Sequence, residues 1–402
     1  MTRSSLALSN LRAFVILIVL AFHSVLAYLG SLPAKQDLFD SPPYSWQAIP
    51  IVDSERWFGF DLFCAFQDVY LMTFMFFLSG LFVWPSLARK GSRTFLSDRF
   101  LRLGVPFVLA VCLLMPIAHY PVYLVSAVDP SWTAFWQHWR ALPIWPSGPQ
   151  WFLWELLVFN ALAAALFRYV PQAGELLARL AASAGERPGR YFLGLAAASA
   201  VAYVPLAVIF TPWEWTQFGP FGFQLSRPLH YGVYFFAGLG IGAYGIERGL
   251  LSSEGLLARR WAAWLAAAGG GFLLWIVPTA LVMEEWGKTI PGLQILADFG
   301  WVISCATGCL FFAAVFLRFG ARRSRIFDSL SESAYGMYLV HYVFVVWLQY
   351  LLLGFALPAI VKASIVFSLT LLLSWGATVA MCRFPLGARF LGTERRALAK
   401  AR

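Results

Sequence analysis

Ten stretches of this chain are apolar for long enough, or nearly so, to cross a bilayer: roughly 11–30, 68–88, 103–123, 151–168, 191–210, 229–246, 262–283, 293–317, 333–353 and 358–382. No other feature narrows the fold as much, because a hydrocarbon core leaves the backbone no water to bond and forces it to pair within itself. Composition agrees. Hydrophobic residues make up 60% of the chain and charged residues 12%, against about 25% charged in soluble proteins. The expected fold is all-α, a polytopic membrane protein of about ten transmembrane helices forming one domain over 1–402.

Ten crossings place both termini on one side, and the loops between them then alternate. The N-terminus, segments 85–102, 168–190, 247–260 and 318–332, and the tail 383–402 carry 24 of the 30 Lys and Arg. The positive-inside rule makes that side cytoplasmic. It also accounts for the net charge of +10 without a nucleic-acid partner, since no soluble segment carries a basic patch with interleaved aromatics. Arg3 ahead of an apolar run suggests a signal peptide, but the run has about 20 residues and no clear small-x-small cleavage site follows, so a retained anchor is expected.

Smaller signals carry less. The connections 31–67, 124–150 and 169–190 are too short for separate domains. Cys64 is expected outside, and Cys305 with Cys309, i and i+4 in a spanning segment, have no further soft ligands, so neither a disulfide framework nor a metal site is indicated. The string Gly240-x-Gly242-x-x-Gly245 looks like a dinucleotide fingerprint but follows no strand. Gly238-x-x-x-Gly242 reads instead as a small-residue stripe for close helix packing. Trp46, Trp57, Trp132, Trp136, Trp139, Trp145, Trp213 and Trp215 in the outer loops read mostly as interface-belt residues.

The segment "RAFVILIVLAFHS" puts Arg12 and His23 at the two ends of an apolar run. Eleven positions at about 100° each bring both residues to one helix face, about 16 Å apart along the axis. Ionisable groups at membrane depth are costly and point to function. With this pair, the blocks "FMFFLSGLFVWPSLARKGSRTFLSDRFLRLGVPF" (Phe74 to Phe107), "GPQWFLWELLVFN" (Gly148 to Asn160) and "SAYGMYLVH" (Ser333 to His341) resemble the acyltransferase-3 family of integral membrane acyltransferases. The glucan biosynthesis protein C branch looks closest.

The resemblance implies an enzyme of the bacterial inner membrane that takes an acyl group, acetyl or succinyl, from cytoplasmic acyl-CoA and places it on a hydroxyl of a carbohydrate at the outer face. Acyl-CoA is then a co-substrate, and no cofactor is held permanently. His23, near mid-depth, is the expected general base, since a neutral imidazole suits the removal of a sugar hydroxyl's proton. Arg12 at the cytoplasmic mouth would line the donor's route. Arg99 and Arg102, i and i+3, would hold coenzyme A phosphates. Glu155, about 8 Å in from the outer face, would orient His23 or bind acceptor hydroxyls, with Gln150 and Trp151 sharing that second role. His341 would share His23's cavity, assisting the oxyanion or holding the tunnel, with Tyr338 one turn below and Tyr335 near the entrance. Arg227, His230 and Asp298 are weaker acceptor-side candidates. For each residue a packing or ion-pair role competes. For the whole chain, a permease or flippase for a sugar or lipid-linked substrate competes.

Overall fold

The computed structural model describes residues 2–391. The basic tail beyond Leu391 lies outside the described residues. In chain order the helices are α1 (Arg3–Val25), α2 (Phe58–Gly80), α3 (Val83–Lys90), α4 (Ser92–Arg99), α5 (Val105–Leu109) and α6 (Met115–Ser126). The last three join through π-helical turns at Phe100–Gly104 and Ala110–Leu114 into one 35-residue rod. Then come α7 (Trp132–Ala141), α8 (Trp151–Tyr169), α9 (Gln172–Ala182) and α10 (Pro188–Phe210), followed by an antiparallel hairpin of β1 (Trp215–Phe218) and β2 (Phe221–Gln224). The chain continues through α11 (Pro228–Tyr244), α12 (Leu256–Arg259), α13 (Trp261–Met283), α14 (Leu293–Phe319), α15 (Arg325–Leu352), α16 (Ala359–Met381) and α17 (Pro385–Leu391).

Among the described residues nine helical stretches are long and apolar enough to cross a membrane, one fewer than expected. The expected segment missing from these nine, 229–246, is α11, cut to 17 residues by Pro228 at its start and by Gly245 at φ +117° after its end. At about 25 Å it is short for a full crossing, yet it still runs between the two faces. Glu247, just beyond it, bonds the Thr2 hydroxyl, and Ser253 N donates to Ser4 Oγ at 3.1 Å.

A second correction concerns α2. Its helix begins at Phe58, ten residues before the expected 68, because its polar residues find partners: Asp61 accepts from Gly30 N and Ser31 N at 2.6 and 3.0 Å, and Asp68 pairs with Arg227. Cys64 therefore lies inside a helix, half-buried, rather than in an outer loop.

Contacts between the loops tie them into groups at the two ends of the helices. At one, Asn10 Nδ2 donates to Gly320 O and Arg322 O at 2.6 and 2.8 Å, joining the N-terminus to the basic segment 318–332. At the other, Lys362 of α16 pairs with Asp53, and Gln217 of the hairpin bonds Gln47 at 2.7 Å. Helices α10, α13 and α16 present large apolar residues such as Leu193, Val201, Leu273, Val277 and Leu372 outward, where lipid takes the place of protein contacts.

The glycine stripe is where two backbones meet. A Cβ on Gly238 would lie 2.1 Å from Phe77 O, and one on Gly242 2.0 Å from Leu81 O. Without side chains there, α11 lies directly on α2 and fixes the floor behind the site.

Orientation is open to direct measurement. With the native cysteines replaced, Ala34→Cys on loop 31–57 should react with a membrane-impermeant maleimide in intact cells. Arg323→Cys on the basic face should react only after permeabilisation. The reverse pattern would invert the assignment of faces.

Candidate active site

His23 lies two residues from the end of α1, and His341 is in the middle of α15. Their rings are in contact, with centroids 5.0 Å apart and His341 Nε2 3.4 Å from His23 Nδ1. His341 is fully buried and His23 half-buried. Each Nδ1 also meets a backbone carbonyl, Val19 O at 2.8 Å for His23 and Tyr338 O at 2.7 Å for His341. A carbonyl oxygen only accepts, so in the neutral rings both protons sit on Nδ1. Two consequences follow. The single Nδ1–H of His23 goes to Val19 O, with the lone pair of His341 Nε2 as a second, longer acceptor at 3.4 Å, and His23 Nε2 keeps a lone pair with which to take a proton.

Below this pair lies a cavity of about 790 Å³, lined by α1, α2, the π-helical rod, α8 and α15. Arg12, Arg89, Arg99 and Arg102 line it towards the basic face, and Val19, Phe152 and Tyr338 line it at the histidine end. A second cavity of about 230 Å³ shares Phe82, Arg89, Arg99 and Arg102 with it and adds Lys90 and Phe95. Arg12 lies over the Phe82 ring at 4.6 Å and Arg99 over Phe95 at 4.9 Å, contacts that hold the guanidinium planes against the wall. Arg12, Arg99 and Arg102 are thus brought together. Arg89, which the sequence marks only as topological charge, joins them.

The π-helical turn after Arg99 has a local cause. Pro106 has no N–H to offer the carbonyl of Arg102 four residues before it; the Tyr335 hydroxyl donates to that carbonyl instead. Tyr335 thereby ties α15 to the backbone that carries the arginines. One turn further, the Tyr338 hydroxyl donates to Pro149 O, and Gln150 Nε2 donates to Leu339 O at 3.1 Å. Gly148, at φ +50°, makes this close approach possible. Gln150 and Tyr338 are therefore spent largely on joining α8 to α15, although the Tyr338 ring still lines the cavity and Gln150 Oε1 is buried without a partner.

Glu155 bonds neither histidine. Both of its carboxyl oxygens are buried without a hydrogen-bond partner, on the flank of α8 beside the cavity-lining Phe152 and Leu156. Trp151 stacks on Tyr231 at 6.0 Å and meets Trp215 of the hairpin edge-on at 5.7 Å. Arg227 and His230 lie in a separate buried cluster. Arg227 pairs bidentately with Asp68 at 2.8 Å over the Trp301 ring. His230 bonds Ser199 Oγ at 2.6 Å and Thr73 Oγ1 at 3.3 Å. Asp298 accepts from Gln294 at 2.9 Å.

On the other face, loop 31–57 covers the histidines. Tyr342 lies edge-on to His23 at 5.6 Å, and its hydroxyl donates to Gln47 O at 3.5 Å. Trp46 and Trp139 are buried rather than belt residues; Trp57, Trp132, Trp145, Trp213 and Trp215 are exposed. The loop is held by Lys362 Nζ, which meets both Asp53 oxygens at 2.9 and 2.8 Å with both side chains fully buried.

A family model described as an acyltransferase domain matches residues 5–379 of the chain. No curated protein and no solved structure gives a significant match.

The buried pair gives a stability prediction. Lys362→Ala should cost about 3–5 kcal/mol by leaving Asp53 charged and alone, read as a lower Tm in detergent. Asp53→Asn combined with Lys362→Met should recover most of the loss. Equal losses in the single and double variants would show that the charges are not coupled.

Proposed function

The chain belongs to the acyltransferase-3 family of membrane acyltransferases, and on that premise we propose that it transfers an acyl group, acetyl or succinyl, from cytoplasmic acyl-CoA to a hydroxyl of a carbohydrate on the other side of the bilayer. The observation that carries this reading is the adjacency of the arginine-lined cavity and the histidine pair: Val19 and Tyr338 line the cavity, and their carbonyls bond the two imidazoles.

In this reading the coenzyme A phosphates rest on Arg99, Arg102, Arg89 and Arg12, since guanidinium forks match phosphate oxygens. The thioester arm follows the cavity towards His23. The acceptor arrives from the opposite face. Its hydroxyl gives its proton to His23 Nε2 as the oxygen attacks the thioester carbonyl; a C–O bond forms, the C–S bond breaks, and the departing thiolate takes the proton back from the imidazolium. His341 Nε2, facing the Nδ1–H of His23, fixes the ring and shares the imidazolium charge, the part a carboxylate plays in a hydrolase triad. Transfer is direct, through a ternary complex.

Purified protein given labelled acyl-CoA and a glycan acceptor should form an ester, which a permease would not. His23→Ala should lower transfer by about 10²–10⁴-fold with donor affinity kept; near-normal turnover would remove His23 from the chemistry. Arg102→Ala should raise KM for acyl-CoA about ten- to a hundredfold, the equivalent of one charge-assisted hydrogen bond, and leave KM for the acceptor unchanged. Equal losses toward donor and acceptor would return Arg102 to a topological role.

A further inference from the structure

Outside the catalytic pair, two neighbouring rings each hold an unanswered hydrogen-bonding group, one an acceptor and the other a donor. His119 of α6 is fully buried, and its Nδ1 meets Met115 O at 2.8 Å. The carbonyl fixes the proton on Nδ1, so Nε2 keeps its lone pair, and that atom has no partner. Trp46, on loop 31–57, is also fully buried, and its Nε1–H has no partner either. The two rings lie 5.4 Å apart, inclined at 64°. Burial of either group alone is unfavourable, and the fold keeps both side by side.

Their place in the molecule is informative. The Tyr342 ring lies 5.6 Å from the His23 ring and 5.9 Å from the His119 ring, so it touches both the proposed base and this second pair. The surroundings are aromatic and close-packed: Phe39 stacks on Trp46 at 4.9 Å and 9°, and Trp139 lies 5.7 Å from His119. Flat apolar rings around a few polar groups suit the C–H faces of a sugar.

Building on the acyltransferase reading above, we infer that His119 and Trp46 form a hydroxyl-binding subsite that seats the carbohydrate acceptor, holding one of its hydroxyls while a neighbouring hydroxyl faces His23. The chemistry selects the ligand class. A hydroxyl donates to His119 Nε2 and accepts from Trp46 Nε1–H at once. A carboxylate or phosphate would answer only the tryptophan, and an ammonium only the histidine. Both side chains are closed off from solvent, so loop 31–57 must move for the acceptor to enter, against the Asp53–Lys362 pair that holds it.

The test compares His119→Leu, His119→Gln and Trp46→Phe with the unaltered full-length protein in detergent. The probes are labelled acetyl-CoA and a panel of linear hexose oligosaccharides, and acetyl-CoA hydrolysis to water is measured in parallel. His119→Leu and Trp46→Phe should each raise KM for the oligosaccharide about tenfold, with KM for acetyl-CoA and the hydrolysis rate unchanged. His119→Gln, whose side-chain oxygen still accepts, should recover most of the acceptor affinity. A monodeoxy oligosaccharide lacking the contacted hydroxyl should lose affinity with the unaltered protein and lose little more with His119→Leu. Oligosaccharide KM values within twofold of the unaltered protein in both variants would overturn the subsite and leave the ring pair to an ordered water. So would a matching loss of hydrolysis. Transfer to no member of the panel by the unaltered protein, from acetyl-CoA or from succinyl-CoA, would instead overturn the carbohydrate-acceptor reading on which the subsite rests.

Discussion

Within a bilayer a polar group has no water to turn to, and an unpaired one is paid for in stability. Around the histidines this chain meets that constraint with a few hydrogen bonds that also build the site. Val19 O and Tyr338 O accept from His23 and His341, which fixes the proton of each imidazole on Nδ1; His341 Nε2 then faces the His23 ring, and His23 Nε2 carries a lone pair. Pro106 cannot serve the Arg102 carbonyl, and Tyr335 bonds it instead. Tyr338 closes on Pro149 O and Gln150 on Leu339 O. Through Tyr335, Tyr338 and His341, side chains within two turns of each other, α15 thus meets the backbone beneath the arginines, the start of α8 and the ring of His23.

The same economy divides the molecule into two sides. Towards the basic face the space below the histidines is open and lined with guanidinium groups. Towards the other it is closed by loop 31–57, clamped at Asp53 to Lys362 and packed through Phe39 and Trp46. An open, cationic approach from one side and a covered, aromatic one from the other is the asymmetry that a transfer between a charged cytoplasmic donor and an uncharged sugar on the far side would use.

Much of this was legible in the chain. Hydropathy located the spanning helices, the eleven-position interval put Arg12 and His23 on one face, and depth alone suggested that His341 lies beside His23. What escaped were pairings between distant segments. Asp68 and Arg227 are 159 positions apart, so nothing local showed that α2 begins ten residues early or that Arg227 is already neutralised. Trp46 looked like an interface residue because its burial depends on Phe39, His119 and α6, none of which the loop's own sequence reveals. The backbone tasks of Gln150 and Tyr338 were hidden for the same reason. His119 did leave a trace, a histidine in the apolar run "MPIAHYP" between two prolines, which the rule about ionisable groups at membrane depth would have singled out.

The central claim is that donor chemistry reaches the histidine pair through the arginine-lined cavity, and a structure of the protein with a non-hydrolysable thioether analogue of acyl-CoA tests it most directly. The account predicts phosphate density against Arg99 and Arg102 and the acyl carbon about 3–3.5 Å from where an acceptor oxygen bonded to His23 Nε2 would sit. An analogue bound with its acyl end away from His23, or seated on the face covered by loop 31–57, would contradict it.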